Sequence, residues 1–443
     1  MTVITRFAPS PTGQLHVGNL RTAIHNWMWT RKHGGTFLLR LDDTDIQRSR
    51  EEYAQGIRDD LGWLGMAPDD EVKQSDRFAL YEQRFEELRA AGRVYPCYET
   101  AQELDLRRKV LLGRGLPPVY DRAALNLTAD EVAAYEAEGR TPHWRFKLDH
   151  GVMIEWDDMV RGAQHFDPKL LSDPVIRRED GSWLYMLPSV IDDIDMAITH
   201  VVRGEDHVSN TAAQLQMFTA LGAQPPAFAH EALLTGSEGK LSKRLGSLGI
   251  SAFREQGIEA ISLIALLARI GTSDPVIPVT DAAPLIESFD FAHFGRAPAR
   301  FDEQELALLN QKIVHLLDYD AVQARLPEGM DEAAWLALRP NLEKLSDIND
   351  WWHIITGPID AAALDDDDRG FVASAAEALA ELPFDDTVWR ALTETLKAST
   401  GRKGKALFLP LRRALTGLDH GPDMNALLPL IGREQALTRL NSQ

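Results

Sequence analysis

Cysteine is nearly absent: Cys97 is the only one in 443 residues. A single thiol excludes an internal disulfide and any site built from several thiolates, which removes the commonest structural zinc centres. Long apolar runs are missing as well. No segment offers the roughly 20 apolar residues that span a bilayer, and the opening MTVITRFAPSP lacks the basic start and apolar stretch of a secretory leader. Cytoplasmic residence without membrane association is the expectation. There is no internal repeat and no Gly/Ser-rich tract, so disorder is not expected. Positive charge is scarce: 47 Lys and Arg stand against 67 Asp and Glu, for a net charge of −20. Taken alone, that balance argues against nucleic acid, because phosphate binding depends on cations that displace counterions.

The deficit is uneven. Lys397, Arg402, Lys403, Lys405, Arg412 and Arg413 fall together, with no acidic residue between Glu394 and Asp419. An acidic body with one local basic surface can hold a polyanion in a defined orientation. A solvated helix face is the plainer reading of any one charge run. The run of Asp365 to Asp368 reads as a solvated loop without function.

A chain of this length exceeds what one core supports, so several domains are expected. The first hundred residues alternate strand and helix: an apolar strand in TVITRFAP, a helix over 20–32 stopped by Gly34-Gly35, and a strand in TFLLRLDD. Helical patterns follow over 50–64 and 77–91. The order predicts an α/β fold, a Rossmann-like doubly wound parallel sheet in the catalytic domain. Mixed patterns between 94 and 183, including HWRFKLD and GVMIEWDD, read as an α+β insertion; the nucleotide domain is then 1–93 with 184–244. Beyond 244 the chain reads as helical, as a region over 245–309 and an all-α block over 310–443, separated by the joint FGRAPARFDEQE.

Two segments carry phosphate chemistry. SPTGQLHVGNLRTA lies at the first strand-to-helix turn, where free backbone N–H groups and the helix dipole attract anions. GKLSKRLGS, residues 239–247, places Lys240, Lys243 and Arg244 around Ser242, a cationic loop able to close on a triphosphate. Either alone is more often an ordinary turn or a lysine-rich surface loop. As a pair, HVGN and KLSKR resemble the HIGH and KMSKS signatures of class I aminoacyl-tRNA synthetases. RFAPSPTGQLHVGN followed by LLRLDDTD looks like the glutamyl branch, and the likeness continues through VVRGEDHVSNT, EALLTGSEGKLSKR, FDEQELALLNQK and TGRKGKALFLPLRRALTG. It covers nearly the whole chain.

The resemblance implies ATP, with Mg2+, as cosubstrate: His16 and Gly18 on its phosphates, Lys240 and Lys243 on the α-phosphate in flight, Leu233 and Leu234 framing adenine, with Asn19, Asp206 and Ser242 beside them. For L-glutamate it implies Arg6 and Arg203 on carboxylates, with Ala8, Ser10, Asp42, Tyr185 and Ser189 in the pocket. The residue types agree, since a dicarboxylate with one ammonium calls for forked cations and an anion. Two positions depart from the family. Asp42 stands where R-I-E-D-T-D has Glu, and Ser189 where Asn is common; both shorten reach but keep hydrogen-bonding character. Some relatives fold the insertion around zinc with a CxC start; here it is CYE, and Tyr120 in YDRAAL is followed by no Cys, so no zinc is expected.

For RNA, the resemblance implies that 94–183 receives the acceptor end, 245–309 contacts the stem, and 310–443 binds the anticodon, with the six basic residues of 397–413 on phosphates. tRNA(Glu) is the implied partner, with tRNA(Gln) left open as a second one, and the chain is expected to be a monomer. Competing readings are an inactive tRNA-binding paralogue and a paralogue with another amino acid or RNA. The shorter queuosine-modifying relatives lack the helical third, and a glutaminyl enzyme would carry a β-barrel there.

Overall fold

The computed structural model describes residues 2–236, 239–240, 249–360 and 363–442, with backbone alone for 239–240. The chain forms two compact units, each described by itself. The first is Met1–Gln256 with Leu263–Ile277 and Asp281–Glu303; the second is Gly257–Ser262, Pro278–Thr280 and Gln304–Gln443.

In the first unit the strands include β1 (Ile4–Phe7), β2 (Thr36–Leu41), β3 (Asp70–Lys73), β4 (Val94–Cys97), β5 (His143–Phe146), β6 (Ile154–Asp158), β7 (Gly162–Phe166), β8 (Val175–Arg177), β9 (His200–Gly204) and β10 (Ala227–Glu231), and Leu234–Gly236, Gly239–Lys240 and Ala299–Arg300 form a small sheet of their own. The main sheet runs β3-β2-β1-β9-β10-β6-β7, parallel except for the β6–β7 hairpin at its edge. Helices α1 (Val17–Lys32), α2 (Glu51–Trp63), α3 (Phe78–Ala90), α4 (Ala101–Gly113), α5 (Ala129–Ala137), α6 (Met186–Asp195) and α7 (Val208–Ala220) join or cover the strands. The chain leaves β1 on one side through α1 and meets it on the other through β9. In open sheets that reversal opens a crevice at the carboxyl ends of the strands.

Local chemistry accounts for the first crossover. Buried Thr5, Arg6 and Phe7 hold β1 in the interior, and α1 ends on Arg31 and Lys32, cations suited to the negative end of its dipole. Gly34 takes φ +60°, and a Cβ on Gly35 would lie 2.1 Å from the Val3 carbonyl oxygen. Glycine at 35 is therefore required for β2 to start alongside β1. Leu38, Phe85, Leu187, Val201, Met217 and Phe218 belong to the hydrophobic core of this unit.

The stretch 94–183 is divided between two sheets. β4, β5 and β8 form a separate antiparallel sheet, whereas GVMIEWDD supplies β6, which extends the main sheet by pairing with β10. Alternation identifies a strand; it cannot say which sheet edge receives it.

The second unit is built from helices, with Trp335, Leu338, Phe371, Leu379, Leu392, Leu411 and Leu427 buried in its interior. The acidic run read as a loop is instead a helix start: Asp365 caps the helix Asp366–Glu381 by accepting from the Asp368 N–H at 2.8 Å. Three further aspartates in the first turn suit the positive end of the dipole. Among the described residues no helix is long and apolar enough to cross a membrane.

Candidate active site

His16 sits at the N-cap of α1. Its Nδ1 accepts from the backbone N–H groups of Gly18 (3.1 Å) and Asn19 (3.4 Å), so the proton belongs on Nε2, which remains a donor. Burial lowers the His16 pKa, which favours that neutral tautomer. Gly18 is needed for closeness to the imidazole: a Cβ there would stand 3.0 Å from His16 Cε1. The turn thus offers a helix N-terminus and one imidazole N–H. Asn19 Oδ1 is buried without a partner among the described residues, an acceptor left for a ligand or water.

At the carboxyl ends of β1 and β2, two buried arginines share acidic partners. Arg6 Nε donates to Asp193 at 3.1 Å, and its Nη groups have no protein partner among the described residues. Arg40, fully buried, donates through Nε to Asp42 (2.7 Å), through Nη1 to Asp193 (2.6 Å) and through Nη2 to Ser189 (3.0 Å). Burial raises the Asp42 pKa to about 6, against the pull of Arg40 and with the negative Asp192 nearby. Asp193 goes the other way: burial pushes its carboxyl up, but Arg6 and Arg40 outweigh that and hold it below the ordinary value. Asp42 and Ser189, both expected in the glutamate pocket, are thus both held in place by Arg40.

Arg203, at the end of β9, has different company. Nε donates to His230 Nε2 (3.3 Å), Nη1 to the Tyr185 hydroxyl (3.1 Å), and Nη2 to Gln214 Oε1 (2.8 Å) and Thr211 Oγ1. All four partners are neutral groups, and among the described residues Arg203 forms no ion pair. Its charge is uncompensated at hydrogen-bond range. Tyr185 in turn reaches His207 Nδ1 at 3.1 Å, and burial, with the Arg203 charge, pushes His207 down to about 4.

One cavity of about 430 Å³ is lined by Arg6, Ala8, His16, Gly18, Asn19, Asp42, Tyr185, Ser189, Arg203, Asp206, Leu233 and Leu234, so it gathers most of the residues singled out from the sequence. Arg21, Arg40, His207 and Glu231 line it too and were not anticipated. A charged residue in the middle of the apolar strand TFLLRL is the sequence signal that would have found Arg40. Leu233 is 47% exposed, an apolar face open to the cleft. Ser10 falls outside this cavity; it is exposed and lines an adjoining cleft with Gly13 and Tyr53. Leu234–Gly236 pairs antiparallel with Gly239–Lys240, so the backbone of Lys240 follows directly from the cavity wall. Ser242, Lys243 and Arg244 lie outside the described residues.

The basic segment of the helical unit is less free than its composition implies. Arg402 pairs with Asp367 and Asp368 and lies 4.3 Å from the Phe371 ring; Arg413 pairs with Asp419; Arg412 donates to the Pro422 carbonyl at 3.0 Å. Lys397, Lys403 and Lys405 are exposed.

In the insertion, pairing of β4 with β5 sets His143 opposite Cys97, and Cys97, Glu99 and His143 place ligand atoms within 4.8 Å of one another. Among the described residues His143 Nε2 and Glu99 Oε2 have no partner, while the Tyr120 hydroxyl donates to Glu99 Oε1 at 2.8 Å. Burial pushes the Cys97 thiol up to about 12, so as it stands this is a neutral thiol packed in the interior, beside Arg145 stacked 4.1 Å over Tyr120. The sequence shows one candidate ligand where pairing supplies three.

Two family models match: the catalytic domain of tRNA synthetases class I (E and Q) over residues 2–308, and an anticodon-binding domain over 311–443. Glutamate–tRNA ligase 1 of Rhizorhabdus wittichii is 68% identical over 440 residues, covering 99% of each chain. Glutamate–tRNA ligase 1 of Novosphingobium aromaticivorans is 65% identical with full coverage of both. A crystal structure of a glutamate tRNA ligase from Elizabethkingia meningosepticum in complex with its amino acid superposes with a TM-score of 0.86 at 27% identity, covering 100% of this chain and 99% of that one. Motifs, sheet order and end-to-end similarity agree: the chain belongs to the class I tRNA synthetases of the E and Q group.

Proposed function

We propose that the chain is a glutamate–tRNA ligase, which activates L-glutamate with ATP and transfers it to the 3′ end of tRNA(Glu). The observation that carries this reading is Arg203, a buried guanidinium facing the cleft with neutral partners only, joined there by Arg6 with free Nη groups. A pocket with an unpaired cation favours a carboxylate over an amide, because an amide leaves that charge buried and uncompensated.

In the first step an α-carboxylate oxygen of glutamate attacks the α-phosphorus of ATP and pyrophosphate leaves. No general base is needed, since the nucleophile is already ionised; positioning and cationic stabilisation carry the step. The α1 N-terminus and His16 Nε2–H meet phosphate oxygens, Leu233 and Leu234 border the adenine, and Lys240 and Lys243 stabilise the transferring phosphorus. Asp42, held by Arg40, faces the ammonium. In the second step a terminal ribose hydroxyl attacks the acyl carbon, AMP leaves with the bonding electrons, and the hydroxyl proton passes to the departing phosphate. A magnesium ion bound to the triphosphate would neutralise part of its charge. Residues 94–183 receive the acceptor end and 310–443 the anticodon loop, with Lys397, Lys403 and Lys405 on phosphates. We further place the enzyme in the cytoplasm as a monomer.

Acylation of purified tRNA species with labelled glutamate beside labelled glutamine tests the reading. Glutamate on tRNA(Glu) is the expected product, and glutamate on tRNA(Gln) is measured in the same series. Preferential use of glutamine would sink the proposal. Lys243→Ala is expected to lower turnover strongly with little change in tRNA affinity.

A further inference from the structure

Arg203, His230 and Asp158 lie on three adjacent parallel strands, β9, β10 and β6, with Arg203 directly opposite His230 in the ladder. Asp158 is saturated. Its Oδ1 accepts from the backbone N–H groups of Val160 (3.1 Å), Arg161 (2.9 Å) and His230 (3.1 Å), and its Oδ2 from the His230 ring at Nδ1. A carboxylate with that many donors stays ionised and fixes the imidazole proton on Nδ1. His230, with no exposed surface, then has only its Nε2 lone pair to offer Arg203 Nε (3.3 Å) and the Thr211 hydroxyl (2.8 Å).

We infer that Asp158 and His230 are positioning residues for Arg203: they lock its guanidinium plane through a neutral acceptor and so keep its full charge for the substrate carboxylate. This deepens the reading above and rests on it. The arrangement solves a specific problem. An arginine held by a carboxylate is oriented but neutralised, as Arg40 is by Asp42 and Asp193; an arginine held by nothing is charged but mobile. Placing an imidazole between Asp158 and Arg203 orients the guanidinium while moving the anion one residue away. Thr211, Gln214 and Tyr185 complete the set of neutral acceptors. A purely structural role for Asp158, capping the turn after β6, would not require the ring of His230 to face Arg203.

The test uses the full chain and initial rates of acylation on a tRNA that the wild type charges, with glutamate, ATP and tRNA varied in turn. For His230→Leu, a glutamate KM raised about 10- to 100-fold is expected, the scale of a misplaced binding group, with the ATP and tRNA KM values little changed. His230→Gln, which restores a neutral acceptor, recovers most of that loss. His230→Glu sets an anion on Arg203 and loses at least as much as the leucine variant. If His230→Leu does not fold, as thermal melting will show, Asp158→Asn, which no longer fixes the imidazole proton on Nδ1 and does not itself touch Arg203, provides the same reading, with a smaller rise in glutamate KM. A folded variant whose glutamate KM equals that of the wild type, or whose three KM values rise together, overturns the inference. Failure of the wild type to use glutamate overturns the functional reading itself, so the two failures are distinguishable.

Discussion

The two walls of the cleft contain arginines of similar burial in opposite company. On the β1–β2 side, Arg6 and Arg40 share Asp193, and Arg40 also holds Asp42, so cations and anions nearly cancel. On the β9–β10 side, Arg203 is surrounded by a histidine, a tyrosine, a threonine and a glutamine. The first wall is mainly a scaffold: the Arg40 charge is spent on Asp42 and Asp193, Arg6 gives only its Nε to Asp193, and Asp42 faces the cavity. The second keeps a charge in reserve. Burying an unpaired cation is costly in the empty protein, and a substrate carboxylate relieves that cost on binding, which converts the strain of the free site into selectivity.

Removing the reserved charge should have the largest effect. Arg203→Ala is expected to lower kcat/KM for glutamate by a factor corresponding to about 2–5 kcal/mol, the range for one partner of a buried charged pair. A loss below tenfold in acylation rates would erase the distinction between the walls. Arg40→Met strikes the scaffold instead. It leaves Asp42 and Asp193 buried with a lost partner and should cost about 3–5 kcal/mol of stability, read as a lower midpoint in denaturant. If Arg40→Met impairs glutamate use without lowering that midpoint, the scaffold assignment is wrong.

The two walls also differ in response to pH. Asp42 titrates at about 6 in the folded chain against an ordinary 3.8 because burial opposes its charge. An acid with a raised folded-state pKa binds its proton more tightly when folded. Its contribution to stability is therefore full at low pH and lost as pH rises through about 6. Asp42→Asn should remove that part of the stability–pH slope, measured by denaturant melts at several pH values. In activity the sign is opposite: protonating Asp42 below about pH 6 removes the anion proposed to face the ammonium, so glutamate KM is expected to rise as pH falls, and less so in Asp42→Asn. The smallest effect is expected far from the cleft. Lys403→Ala should weaken tRNA binding slightly and lower the slope of log affinity against log salt by about one. The same change at Arg402, already paired with Asp367 and Asp368, should alter stability more than the salt slope.

Much of this was legible in the chain. The β1–α1–β2 crossover followed from an apolar strand, a glycine-punctuated helix and a second strand, and His16 with Gly18 fell at its turn. Arg6 and Arg203, which the family resemblance singles out, both line the cavity. Arg40, Asp193, His230 and Asp158 were not found. Their importance lies in pairing between elements separated by up to 187 residues, and no local pattern records which buried arginine has an acidic partner. The β6–β7 hairpin was assigned to the insertion for the same reason, and the aspartate run of 365–368 passed for a loop because its arginine partner lies 34 residues on.

By itself, the sequence determined the alternation of elements, the helical third of the chain and the chemical identity of most groups that line the cleft. These depend on short-range periodicity and on residue type, both written along the chain. Tertiary structure alone decided which of three buried arginines is neutralised, which is reserved, and which histidine fixes it. Charge compensation is a property of distance in space, falling steeply over a few ångströms, and the distances are set only when β9, β10 and β6 lie side by side.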